Sequence, residues 1–521
     1  VIEDDRRNGG KAWRNFGLRG AATAAAALLV VGAGGCDRIE ALVGLGPAQV
    51  SARALQAAAT EPEVKAFYER RQWRAAWSDS EAKALIRALE DASRHGLDAS
   101  RFTSIIRSAE GDAARDAELT MAALSYGRAL AYGAVDPKKV HGIYTLPRPK
   151  LDLAADLEQA LGAGSVSRWL ASLPPQDPEY AALSKAYVAY KAQAEQAKGE
   201  PIPAGPVIRP GAADARVPAV IQRLMVAGYL PPETQVGADA VFSRPMSEAL
   251  KSLQRDAKLP PTGRVDEATV QALNEAAAER ARQLAVNMER RRWLSREVPG
   301  LRIDVNTAAA ELTYFRDGQA AWTSRVVVGD PENQTPALGS EFKQLVVNPP
   351  WNVPDGIAEE EILPKGPGYL ASENMYVENG RVVQRPGPDS ALGLVKFDMQ
   401  NPYAIYLHDT PAKSIFQSQA RHRSHGCTRV EGAVEFARLL ATERGKGEAF
   451  DAALQSGETK VVELGEAIPV RLLYHTAYLD KSGRLIFADD PYAWDDKVGR
   501  ALGLEPSRRR PNPPVAHLLG P

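Results

Sequence analysis

From residue 47 to about 200 apolar positions recur at helical spacing. Ala82-Lys83-Ala84-Leu85-Ile86-Arg87-Ala88-Leu89-Glu90 is one such phrase, and the region reads as several packed amphipathic helices. The Pro/Gly-rich stretch from Pro201 to Gly211 breaks this pattern, and residues 201–214 read as a linker. Helical phrases return around Val220-Ile221-Gln222-Arg223-Leu224, Ala249-Leu250-Lys251-Ser252-Leu253-Gln254 and Thr269-Val270-Gln271-Ala272-Leu273, which predicts a small helical module over 215–276. Beyond Leu301 the period shortens to two. Leu301–Asn306, Glu311–Phe315, Ser324–Gly329 and Gln344–Asn348 are short β-rich runs separated by turn residues, so a β-rich domain over 280–480 is expected. Pro349 to Asp389 is Pro/Gly-heavy with one short helical phrase, Glu359-Glu360-Glu361-Ile362-Leu363. A long irregular insertion of this kind is usually a lid, here bounded at 349–390 and expected to be mobile and tied down by Trp351, Ile362, Leu363 and Tyr369. Residues 481–521 read as a C-terminal helix followed by a disordered Pro/Arg-rich tail.

The first 36 residues follow a different pattern. Arg6, Arg7, Lys11, Arg14 and Arg19 precede a short apolar run from Ala21 to Gly35, a secretory-signal arrangement too short to span a bilayer comfortably. Ala33-Gly34-Gly35-Cys36 resembles a lipoprotein processing site, although it lacks Leu at its first position. The expectation is an exported chain anchored to a membrane through lipid on Cys36, with a cleaved signal or an uncleaved anchor as the alternatives.

At 521 residues the chain is too long for one core, and the multidomain α+β organisation above is what its length requires. Its 64 basic and 65 acidic side chains nearly cancel, which removes the electrostatic footprint of a nucleic-acid binder. The only cysteines are Cys36 and Cys427, so lipid on the first would leave the second unpaired in an oxidising compartment. An inert buried thiol is the plain explanation; the neighbouring residues argue for another.

Three of the seven histidines lie between positions 408 and 425, two of them in Ile405-Tyr406-Leu407-His408-Asp409-Thr410 and Ser424-His425-Gly426-Cys427-Thr428-Arg429. A cysteine attacks carbonyls as its thiolate, and an imidazole within reach both takes the proton and stabilises the anion. Alternation along Ile405–His408 would put Tyr406 and His408 on one face. Gly426 lets backbone approach a reacting carbonyl, so amides around Gly426 and Cys427 can stabilise an oxyanion, and Arg429 is a fixed cation suited to a substrate carboxylate. His422, between Arg421 and Arg423, reads as loop surface outside the site. His95, His141, His475 and His517 have no partner cluster, so no metal is expected.

His408 through Arg429 resembles the catalytic motif of the L,D-transpeptidases. The likeness extends to Asn287–Leu294, Val326–Gly329, Gln334-Thr335-Pro336, Asn348–Pro354, Ala391-Leu392-Gly393 and Lys396-Phe397, which look like the large Gram-negative-type branch. Phe67-Tyr68, His95-Gly96-Leu97-Asp98 and Gly133–Pro137 are similar to that branch's scaffold domain. Val217–Asn274, with Gln222, Gln254, Thr262-Gly263 and Asp266, resembles a three-helix peptidoglycan-binding module. The resemblance implies a helical scaffold domain, that module, and a β-rich catalytic domain with an inserted lid. It implies Cys427 as nucleophile, His408 as general base, and His425, Gly426 and Ser424 shaping the site. Arg429 would hold substrate, Tyr406 would face the oxyanion, the Asp409 carbonyl would orient the imidazole, and Trp351 would line the lid pocket. Asp389-Ser390 departs from the family's usual Asn, which leaves Ser390 without a role.

The implied reaction starts at the third residue of a donor tetrapeptide stem, expels terminal D-alanine, and passes the thioester to a side-chain amine on a neighbouring stem. It needs no cofactor. The implied setting is the periplasm, with peptidoglycan gripped through 217–274. Two alternatives stay open on the residues alone: a hydrolase that resolves the thioester with water, and a non-catalytic peptidoglycan-binding scaffold.

Overall fold

The computed structural model describes residues 50–106, 111–231, 233–235, 241–257, 259–418 and 420–507. Cys36, His517 and the signal-type segment lie outside the described residues, as does the tail from 508 onward.

The first region is helical for the reason its spacing gives. In Asp79–Glu90 the residues Ala82, Leu85, Ile86 and Leu89 form one buried face, and the Ser78 hydroxyl caps the helix by accepting from the Glu81 amide. It packs with the helix Asp112–Tyr132 into the largest apolar core of the chain. Inside that core Asp116 accepts from the Tyr68 hydroxyl (2.5 Å) and from the backbone amides of Ala76 and Trp77, which satisfies an otherwise costly buried carboxylate.

The small module contains the helices Val217–Val226 and Arg244–Asp256 and the start of a third, Glu267–Trp293. Gln254 is fully buried at its centre, donating to Thr269 Oγ1 and the Arg264 carbonyl (both 2.9 Å) and accepting from the Gly263 amide. Asp266 caps the third helix through the Thr269 amide. These motif residues therefore brace the turn from inside, whereas Gln222 faces solvent.

Two boundaries expected from the sequence are corrected. The stretch 201–214 is no free linker: Ile202 and Ile208 are 3% and 2% exposed, and both belong to the module's own core. The expected gap between module and catalytic domain near 276–280 falls in the middle of a continuous 27-residue helix. No Gly or Pro interrupts that run, so nothing in it stops a helix.

The C-terminal half of that helix is buried almost all round. Glu289 and Arg292 form an ion pair with both side chains 0% exposed. Glu289 also accepts from the Val135 amide (2.7 Å) and the Trp293 indole, while Arg292 donates to the His95 carbonyl and the Tyr180 hydroxyl. Between them in sequence, Arg290 donates to Asp495, which also accepts from the Thr476 hydroxyl. The helix Trp494–Leu502 is thereby seated on the long one.

The catalytic-type region is built on a nine-stranded mixed sheet: β1 (Arg302–Asn306), β2 (Glu311–Arg316), β3 (Gln319–Gly329), β4 (Leu338–Val347), then, after an insertion holding β5 (Trp351–Asn352), β6 (Met375–Glu378) and β7 (Arg381–Gln384), β8 (Val395–Phe397), β9 (Leu407–His408), β10 (His422–Ser424), β11 (Thr428–Val430) and β12 (Lys460–Leu473). The order is β10-β3-β11-β9-β8-β4-β12-β1-β2, and a further β2–β3 pairing closes the ring. Closure leaves few open edges and surrounds an apolar interior that includes Val305, Val326, Phe342, Phe397 and Phe436.

The insertion is not the irregular loop its composition suggests. β5, β7 and β6 form a separate three-stranded sheet, and Ala358–Ile362 is a π-helical turn. Trp351 and Ile362 are fully buried in the insertion's own apolar cluster, with Tyr369 at its margin. Leu363, expected to help tie the segment down, is instead 44% exposed.

Candidate active site

Two short strands determine where the site residues stand. β11 lies parallel to β9 with Thr428 opposite Leu407 and Arg429 opposite His408. The Thr428 amide donates to the Tyr406 carbonyl (3.0 Å), which sets Cys427 level with Tyr406. Because side chains alternate along a strand, Tyr406 and His408 share a face with Cys427 and Arg429. On the other flank β8 pairs Lys396 with His408, so Lys396, His408 and Arg429 stand in one row across three strands. The Lys396 ammonium also lies 4.5 Å from the centre of the Tyr406 ring.

His408 is fully buried, and its Nδ1 lies 2.5 Å from the Asp409 carbonyl oxygen. A carbonyl can only accept, so Nδ1 carries the proton and Nε2 is left as the basic nitrogen. The Asp409 carboxylate turns elsewhere, accepting from the Leu394 amide and pairing with Lys413. That packing explains Gly393: a Cβ there would come within 2.4 Å of Asp409 Oδ2.

Cys427 is 4% exposed. Burial pushes its thiol up to about 11, against the opposing pull of the Tyr406 amide and hydroxyl and the nearby Lys396 and Arg429 cations. The Tyr406 phenol is itself raised by burial and by the sulfur beside it. Arg429 is 1% exposed, and burial lowers its guanidinium to about 10, which still leaves a cation at neutral pH.

The loop before Cys427 is braced by hydroxyls. Ser424 Oγ donates to the Cys427 carbonyl (2.6 Å) and accepts from the Gly426 amide (3.2 Å). The Gly426 amide is therefore committed to the loop and does not serve as the open oxyanion donor expected from the sequence. Gly426 has φ +110°, a backbone conformation that side-chain-bearing residues avoid. Its carbonyl accepts from Thr335 Oγ1 (2.8 Å), whose oxygen in turn accepts from the Gly329 amide.

Trp351 lies in the apolar core of the insertion, with Tyr406 packed at the same cluster's edge. His425 reaches out to the insertion, its Nε2 2.5 Å from Glu361 Oε1. His422 is not loop surface: it sits in β10, its Nε2 2.8 Å from the Thr307 carbonyl and its ring edge-on to Tyr492, and burial lowers it to about 4. Ser390 is buried. Sequence reasoning missed Glu361 and Thr335 as parts of this neighbourhood. The first contacts the site across 64 positions of chain and no local pattern marks it; the second stood inside Gln334-Thr335-Pro336, a phrase noticed without a role.

Comparison with known proteins agrees with this layout. Residues 300–462 match the L,D-transpeptidase catalytic domain of YkuD type, residues 62–186 a scaffold domain, and residues 214–273 a "Putative peptidoglycan binding domain". A Haemophilus influenzae protein described as "Putative L,D-transpeptidase" is 34% identical over 243 residues, covering 42% of this chain and 49% of that protein. The chain thus spans about half the length of this curated relative. A solved L,D-transpeptidase structure (residues 123–326) from Xylanimonas cellulosilytica matches at 16% identity over 52% of this chain and 98% of that one. Its TM-score of 0.15 is too low for a shared fold to be read from it. In chain order, then, these residues match a scaffold domain, a peptidoglycan-binding-type module and an L,D-transpeptidase catalytic domain of YkuD type.

Proposed function

We propose that this chain is a peptidoglycan L,D-transpeptidase that links the third residues of neighbouring stem peptides through a thioester on Cys427. The observation that carries the reading is the parallel register of β9 and β11, which brings Tyr406 and His408 to the same face as Cys427 and Arg429. His408 Nε2 takes the thiol proton, and the sulfur attacks the carbonyl of the third residue of the donor tetrapeptide. The proton then goes to the departing D-alanine amine. Tyr406, its hydroxyl beside the sulfur, is the donor nearest the developing oxyanion, and Arg429 holds a stem carboxylate.

Transfer is favoured over hydrolysis because the nucleophile is almost sealed from solvent beneath a folded insertion. The module at 217–274 grips the wall polymer, and export with a lipid on Cys36 would hold the chain at a periplasmic membrane surface. The test is direct. Purified tetrapeptide stems incubated with the protein are analysed by mass spectrometry for D-alanine release and dimers linked between third residues. Cys427→Ala should give neither product, and dimers from that variant would remove the thioester mechanism.

A further inference from the structure

The contact between His425 and Glu361 joins the loop that carries Cys427 to the π-helical turn Ala358–Ile362 of the insertion. The His425 side chain is 10% exposed and the Glu361 side chain 31%, so the carboxylate is held on its inner side by the imidazole and opens outward. Ile362, the next residue, is buried in the cluster that also holds Tyr406, and Tyr406 abuts the sulfur. Glu361 is thereby held against the loop that carries the sulfur, on a residue two positions before Cys427, with part of its carboxylate open to solvent.

Transfer to an amine has a proton surplus that acylation lacks. A side-chain amine of lysine type has a pKa of about 10.4, so the acceptor arrives as an ammonium. It brings three N–H protons, and the amide it becomes keeps one. As the C–N bond forms and the C–S bond breaks, Cys427 leaves as a thiolate, and one displaced proton returns to it by way of His408. The other must leave the nitrogen before attack, because an ammonium has no lone pair. A carboxylate on the solvent side of the thioester would hold the ammonium there and relay that proton to water.

We propose that Glu361, positioned by His425, is the acceptor site: its carboxylate seats the incoming ammonium, takes the surplus proton and passes it to water. This rests on the transpeptidase reading above. Lid and chemistry are then linked, since the base is in place only while the insertion is docked on the nucleophile's loop.

The experiment follows the fate of the thioester in the full chain, charged with donor tetrapeptide and offered either an acceptor stem or hydroxylamine, which is a free base at neutral pH and has no surplus proton to lose. With Glu361→Gln, capture by the stem amine relative to hydrolysis should fall about tenfold or more, at a raised half-saturating acceptor concentration. Capture by hydroxylamine relative to hydrolysis should stay as in the parent. Glu361→Asp, which keeps the charge but withdraws it by one methylene, should fall between the two. An unchanged stem-amine ratio in Glu361→Gln overturns the proposal. So does a parallel loss with both nucleophiles, which would make Glu361 a clasp for the insertion. A parent that forms no thioester fails earlier, at the proposed function.

Discussion

The Nδ1 atom of His408 lies 2.5 Å from the carbonyl oxygen of its neighbour, Asp409. Since that acceptor is backbone, substitution of the Asp409 side chain cannot remove it, and the basic nitrogen is fixed by the fold. His408→Ala should slow acylation by about 100-fold or more, the usual scale for a positioned base. Single-turnover release of D-alanine measures this, and an unchanged rate would move the base elsewhere.

Burial holds the Cys427 thiol near 11, so at pH 7 roughly one molecule in ten thousand carries the thiolate without help from a base. Alkylation by a small reagent should therefore be slow at neutral pH and rise about tenfold per pH unit towards 11. Replacing 349–389 by a short Gly/Ser link, in a protein that still shows a cooperative unfolding transition, should rehydrate the sulfur, lower its pKa and speed alkylation at pH 7. Equal rates with and without the insertion would mean that the insertion does not enclose the nucleophile.

How far the residues alone could foretell this arrangement differs between its parts. Alternation in β1 and β2 and the apolar face of Asp79–Glu90 were legible because each element buries one side against one core. The parallel pairing of β9 with β11 was not, since each strand is only two or three residues long and nothing local specifies a partner. Ser424-His425-Gly426-Cys427 stood out in the sequence as a candidate site, yet the brace from Thr335 and the contact from Glu361 depend on tertiary placement. The insertion was misread as irregular because Pro and Gly recur along it, while the apolar residues that fold it are scattered from Trp351 to Leu392.

Glu289 and Arg292 are paired with both side chains fully buried. Removing one partner strands a charge in the interior, so Glu289→Ala or Arg292→Ala should cost about 3–5 kcal/mol in denaturant unfolding. A loss under about 1 kcal/mol would mean that water reaches the site.

Burial lowers His141 to about 3, in an aromatic nest with the Trp494 ring centre 4.4 Å away. The folded state refuses a proton that the unfolded chain accepts near 6.5. The stability this group contributes is therefore present above 6.5 and lost as pH falls towards 3. His95 is lowered to about 3 by burial and nearby arginines, and adds in the same sense. His141→Phe, which keeps an aromatic ring in the nest, should flatten the fall in melting temperature between pH 7 and 4 by an amount equivalent to about 2 kcal/mol. A parallel fall in both proteins would remove His141 as a source of acid lability.

The helix Glu267–Trp293 begins in the small module and ends among the buried ion pairs beside the closed sheet. At 1.5 Å per residue it is a rod of roughly 40 Å with no hinge residue inside it. If the module grips a wall polymer and Cys427 is the nucleophile, the sulfur is carried at a fixed reach and bearing from that grip. The chain would then act as a gauge: stems at one distance and one rotational phase along the polymer come within range, and their neighbours do not. The spacing of the bonds laid down would be a property of the rod, and inserting a single residue into it would turn the site by about 100° about the helix axis.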